Sequence, residues 1–116
     1  MQTMTRAARA YAAAASHRGL REQEADVFLR ANAALRRARE SGGTLDRVRA
    51  LADNDLLWTV VIDLLRDPEN TLPVQLKASL VSIGRTVQRE MQGETPDLTF
   101  LIQVNENIAT GLSGGS

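Results

Sequence analysis

The stretch Asn54-Asp-Leu-Leu-Trp-Thr-Val-Val-Ile-Asp-Leu-Leu-Arg66 constrains the fold more than any other part of the chain. Between Leu56 and Leu65 only Thr59 and Asp63 are polar. On a helix, Asp55, Thr59, Asp63 and Arg66 are spaced by four, four and three residues and share one narrow stripe. Every other direction around that helix is apolar. Such a helix is central to a core, or is covered partly by its own chain and partly by another. It does not span a membrane, because the Leu56–Leu65 run reaches only about 15 Å, half of a hydrocarbon core.

The punctuation around this segment predicts an all-α compact bundle of about five helices. Ala, Leu, Arg and Glu dominate, and no hairpin dipeptide joins two strand-like runs. A first helix is expected from about Thr3 to Ser16, closing near Gly19. A second runs from about Leu20 to Glu40, with Val27, Phe28, Ala31, Ala34, Leu35 and Ala38 at three- and four-residue intervals. Gly42 and Gly43 end it. Thr44 is placed to cap a third helix reaching Arg66, with a break near Asp53-Asn54, where both side chains compete for backbone hydrogen bonds. Asp67-Pro68 terminates it.

Pro73 suits the first turn of a fourth helix carrying Leu76, Leu80, Ile83, Val87 and Met91 on one side. Ser79, Ser82, Thr86 and Arg89 form its other side. Gly84 lies beside the apolar face, where a missing side chain admits a neighbouring helix. Thr95-Pro96-Asp97 opens a fifth helix with the stripe Leu98, Leu101, Ile102, Ile108, Ala109 and Leu112. One domain is expected over residues 1–116, with 1–5 and 113–116 frayed.

Chemistry-bearing residues are sparse. There is no cysteine, which removes disulfides, thiolate metal sites and cysteine nucleophiles and fits a reducing, cytoplasmic setting. His17 is the lone histidine and lies near a helix end, where a surface role is expected. Asp63 and Asp67 read as helix-surface acids. Neither a ligand cluster nor a phosphate-binding glycine loop occurs, so the expectation is a non-enzyme without cofactor or metal. Residues 1–50 carry ten Arg against five acids, and residues 51–116 four bases against nine acids. The asymmetry means either two faces with different partners or, the favoured reading, a folded bundle that mixes the two halves so that their fields largely cancel.

Arg36-Arg37-Ala38-Arg39 is the sharpest basic cluster. It sits where a helix C-terminus favours cations, and no aromatic residue interleaves with it for base stacking. Trp58, among aliphatics, serves either core packing or anchoring of a partner. Asn105 interrupts the last apolar stripe between Ile102 and Ile108; an amide there needs a partner and fixes helix register.

Asn54-x-x-Leu57-Trp58, Asn70-x-Leu72-Pro73 and Leu101-Ile102-x-Val104-Asn105-x-x-Ile108-Ala109-x-Gly111-Leu112 together resemble the FlaF family of flagellar biosynthesis regulators. Tyr11 with its following alanines, and Arg21-Glu22-x-Glu24-Ala25 with Leu29 and Ala33-Ala34-Leu35, extend the resemblance over nearly the whole length. The resemblance implies a cytoplasmic, non-enzymatic factor that binds flagellin and promotes its synthesis and export, in a pathway shared with a second regulator, FlbT. Flagellin is then the expected partner, with FlbT a further candidate and neither membrane nor nucleic acid expected. Leu57, Trp58, Val61, Asn105, Ile108 and Leu112 are the candidate partner-binding residues. The competing readings are an RNA-associated regulator of flagellin expression acting through the Arg36–Arg39 cluster, and a self-associating structural subunit.

Overall fold

The computed structural model describes residues 17–113, which form four helices. These are α1 (His17–Ser41), α2 (Thr44–Arg66), α3 (Val74–Gln92) and α4 (Leu98–Ser113). The class is all-α, as expected. The helix expected over Thr3–Ser16, like the fraying of residues 1–5 and 114–116, lies outside the described residues. Ser113 is the last helical position.

Cross-helix contacts set the topology. Phe28 of α1 meets Trp58 of α2 edge-on, with ring centroids 5.4 Å apart, beyond the tight Gly42-Gly43 turn. Gly84 faces Trp58 and Ile62, whereas Gln88 bonds Thr59 and Met91 bonds Asn54, so residue numbers rise along α3 as they fall along α2. Arg39 reaches Thr99 and Asn32 reaches Ile102, which sets α4 antiparallel to α1. The bundle is therefore up-down-up-down. α1 packs on both α2 and α4, while α3 packs chiefly on α2.

Helix ends follow local chemistry, with four differences from expectation. Gly19 is helical, within α1, rather than a residue that closes a helix. A glycine costs about 1 kcal/mol relative to Ala there, less than the long apolar face that follows recovers. Thr44 does not cap α2. Gly43 occupies the cap position without a side-chain bond, and Ser41 accepts the Gly43 N–H and donates to Asp46 instead. No break occurs at Asp53-Asn54, because the Asn54 side chain finds partners on other helices rather than on its own backbone. Pro73 is the residue before α3, its carbonyl accepting from the Lys77 N–H.

Other boundaries agree. Gly42 takes φ 65°, the left-handed conformation that ends helices, and its N–H bonds the Ala38 carbonyl. Asp97 caps α4 by accepting the Phe100 N–H on its carboxylate. Asn70 ties the α2–α3 turn from both sides, donating to the Leu64 carbonyl and accepting from the Leu72 N–H.

The core comprises Ala25, Phe28, Leu35 and Ala38 of α1, Ala50 and Trp58 of α2, Val87 of α3, and Leu98, Leu101, Ile102 and Ala109 of α4. Α2 contributes Ala50, Asn54, Trp58, Ile62 and Leu65 to the interior, a stripe with the helical spacing of four, four, four and three.

Candidate functional site

Three asparagines, one from each of three helices, meet in the middle of this core: Asn32, Asn54 and Asn105, all fully buried. The Asn105 amide nitrogen donates to Asn32 Oδ1 at 3.0 Å and to Asn54 Oδ1 at 2.7 Å. Its Oδ1 accepts the Trp58 indole N–H at 2.9 Å. Asn32 in turn donates to the Ile102 carbonyl at 2.9 Å, and Asn54 donates to the Met91 sulfur at 3.3 Å. Among the described residues no buried side-chain nitrogen or oxygen lacks a partner. A fully satisfied polar network of this kind fixes the relative rotation and register of the helices that supply it. Asn105 thus has the structural use expected of it, and Asn32 and Asn54 are the partners that the sequence did not disclose.

On the opposite side of α2 lies an uncovered apolar stripe. Leu56, Val60 and Leu64 are spaced by four residues and expose 64%, 47% and 47% of their surface. At the same end of the α2–α3 hairpin, Val74 and Leu76 are 77% and 44% exposed. The polar positions Asp55, Thr59, Asp63 and Arg66 run beside this stripe and are exposed as well. The opening segment is therefore covered on one side by its own bundle and left open on the other.

The expected partner-binding residues divide between these two regions. Trp58 and Asn105 lie wholly inside, bonded to one another, so neither offers surface to a partner while the bundle is closed. Of the two roles open to Trp58, core packing is the one that its full burial matches. An aromatic this large fills the space between α1 and α3, and its N–H is satisfied by Asn105. Leu57, Val61, Ile108 and Leu112 are half-buried and pack against the core's edge. Sequence reasoning did not single out Leu56, Val60 and Leu64, because α2 is apolar almost all round and no local feature marks its uncovered side.

The basic cluster is partly engaged. Arg36 pairs with Glu106, and Arg39 donates to Thr99 at 3.1 Å, so both help dock α4 on α1, whereas Arg37 is exposed. Arg47 donates to the Pro96 carbonyl across the same end of the bundle. Among the described residues no three His, Asp or Glu side chains converge to hold a metal, and no helix is long and apolar enough to cross a membrane.

Together these features define a class: a small all-helical module, locked inside by an amide network and presenting an open apolar helix face. The chain belongs to the FlaF family of flagellar proteins, whose model matches residues 7–112, and its role is accordingly a flagellar one. No curated protein and no solved structure matches it.

Proposed function

We propose that this chain is a non-enzymatic chaperone and regulator of flagellin, which binds flagellin in the cytoplasm and promotes its synthesis and export. The observation that carries the reading is the open stripe Leu56–Val60–Leu64, with Val74 and Leu76 at the start of α3 exposed as well. Flagellin's ends are amphipathic segments that become helical in the filament, so before export their apolar faces require cover. An apolar helix face on a rigid bundle supplies helix-in-groove binding, with anchors read at three- and four-residue intervals.

Magnitudes favour a releasable complex. Fully covering a Leu or Val contributes about 1.5–3 kcal/mol, so five partly exposed side chains supply on the order of 5 kcal/mol, and the apolar face of the incoming segment about as much again. Ordering an unstructured segment costs about 2–5 kcal/mol, which leaves a net of roughly 5–8 kcal/mol and a dissociation constant of about micromolar or weaker. A protein that must surrender its cargo to an export apparatus needs that balance.

The test is co-elution of purified protein with flagellin on a sizing column with light scattering. The wild type is expected to shift to the mass of a complex. A Leu56→Gln/Val60→Gln variant, altered only at exposed positions, is expected to stay folded and lose the complex. Full flagellin affinity in that folded variant would overturn the stripe as the binding face. Adding FlbT to the same run reads out a ternary complex directly, and a rise in mass with protein concentration alone identifies self-association.

A further inference from the structure

Helix α3 is held differently from the other three. Its main helical neighbour is α2, and of its nineteen residues only Gly84 and Val87 are buried. Its tie to the amide network is a single bond to the Met91 thioether, a weak acceptor. The remaining side-chain links to the rest of the chain are peripheral: Gln88 to Thr59 at 3.3 Å, the Glu90 carboxylate accepting the Asp97 N–H at 2.9 Å, and the Lys77 ammonium donating to the Asn70 carbonyl of the adjoining turn at 3.1 Å. Non-helical segments, 67–73 and 93–97, flank it on both sides. By contrast, α1, α2 and α4 share the asparagine cluster and the greater part of the core.

Beneath α3 lies the most apolar part of α2. A Cβ built on Gly84 would stand 2.9 Å from both Trp58 Cε3 and Ile62 Cδ1, nearer than real Cβ contacts come. Glycine is what lets the α3 backbone settle against the indole. We propose that the Trp58–Ile62 face of α2 is an exchangeable helix-binding groove: α3 is its resident occupant, and an amphipathic helix with a small residue at the crossing point replaces it. The geometry specifies that incoming helix. It carries apolar residues at the spacings of Leu80, Ile83, Val87 and Met91, and a glycine or similarly small residue at the position of Gly84. Local opening of a weakly buried element leaves the rest of a fold standing, and the three helices joined by Asn32, Asn54 and Asn105 supply that remainder.

The inference adds to the helix-capture reading a second site, beneath α3 and separate from the open Leu56–Val60–Leu64 stripe, and rests on that reading only for the identity of the natural incoming helix. Its test therefore uses no flagellin. The probe is a labelled synthetic peptide of residues 74–92, added to the full-length chain, and Trp58, the single tryptophan, reports on the groove by its emission. Native-state hydrogen exchange is expected to show α3 amides exchanging at least about tenfold faster than those of α1, α2 and α4. The peptide is expected to bind saturably, to change Trp58 emission, and to bind the Leu56→Gln/Val60→Gln protein equally well. A Gly84→Leu peptide is expected to bind at least tenfold more weakly. Exchange of α3 in step with the other helices, absence of peptide binding, or equal binding of the Gly84→Leu peptide would each overturn the proposal. Loss of flagellin binding with peptide exchange intact would instead point to failure of the flagellin reading alone.

Discussion

Asn105 concentrates the polar energetics of the core on one side chain. Both its amide hydrogens and its oxygen are used, on Asn32, Asn54 and Trp58. Replacing it with Leu would leave three buried partners without a bond, and each such orphan costs about 1–3 kcal/mol. Asn105→Leu is therefore expected to lower unfolding free energy by roughly 3–5 kcal/mol in urea titrations, despite adding apolar volume. Trp58→Phe orphans only the Asn105 oxygen and is expected to cost less, about 1–3 kcal/mol, including the space the smaller ring leaves. A reversed order would show that packing around the indole, rather than the amide cluster, dominates. The need for an Asn105 partner was legible in the sequence, because an amide in an apolar stripe cannot be left dry. Its partners were not. Asn32 sits among alanines and Asn54 beside Asp53, where local reading sees a polar surface or a break. Only the mutual rotation of three helices brings them together.

At the scale of elements, the turns were more legible than the caps. The glycine pair after α1 separates two effects that sequence alone runs together. Gly42 has φ 65° with open space around it, so Gly42→Ala is penalised by backbone conformation alone, at about 1–2 kcal/mol. Gly43 is extended at φ −76° with ordinary van der Waals neighbours, and Gly43→Ala should leave stability unchanged or raise it slightly, by up to about 1 kcal/mol. Thermal melts of the two variants check the contrast. Asp97→Ala removes the one cap bond donated by Phe100 N–H and is expected to cost about 1 kcal/mol. Thr44→Ala, at a position that offers no cap bond, is expected to be near neutral. Thr44 looked like a cap because composition identifies candidates only within a residue or two. Which candidate acts depends on backbone angles that the turn sets. The apolar stripe of α4 was readable because its period repeats over several turns, whereas α2, apolar almost all round, gave no local sign of which side the bundle would cover.

At the scale of the whole molecule, part of the charge asymmetry between the halves is taken up in contacts among the described residues. Arg36 of the basic half pairs with Glu106 of the acidic half, and Arg39 and Arg47 are spent on Thr99 and on the Pro96 carbonyl. Beside the exposed Arg37, apolar surface stays open along Leu56, Val60 and Leu64. Those two kinds of surface predict opposite responses to salt. Apolar burial is not weakened by screening, so raising NaCl from about 50 to about 500 mM is expected to change flagellin affinity by less than about threefold. A single-stranded RNA held by only three phosphate contacts would lose about a hundredfold over the same range, because bound counterions are released at each contact. Titrating labelled flagellin and labelled flagellin message at the two salt concentrations measures both. A flat flagellin response would fit the open α2 face as the binding surface. Binding of the message with a steep salt response, its slope reduced by about one contact in Arg37→Gln, together with no flagellin binding, would move the interface to the exposed side of α1 and favour the RNA-associated regulator instead.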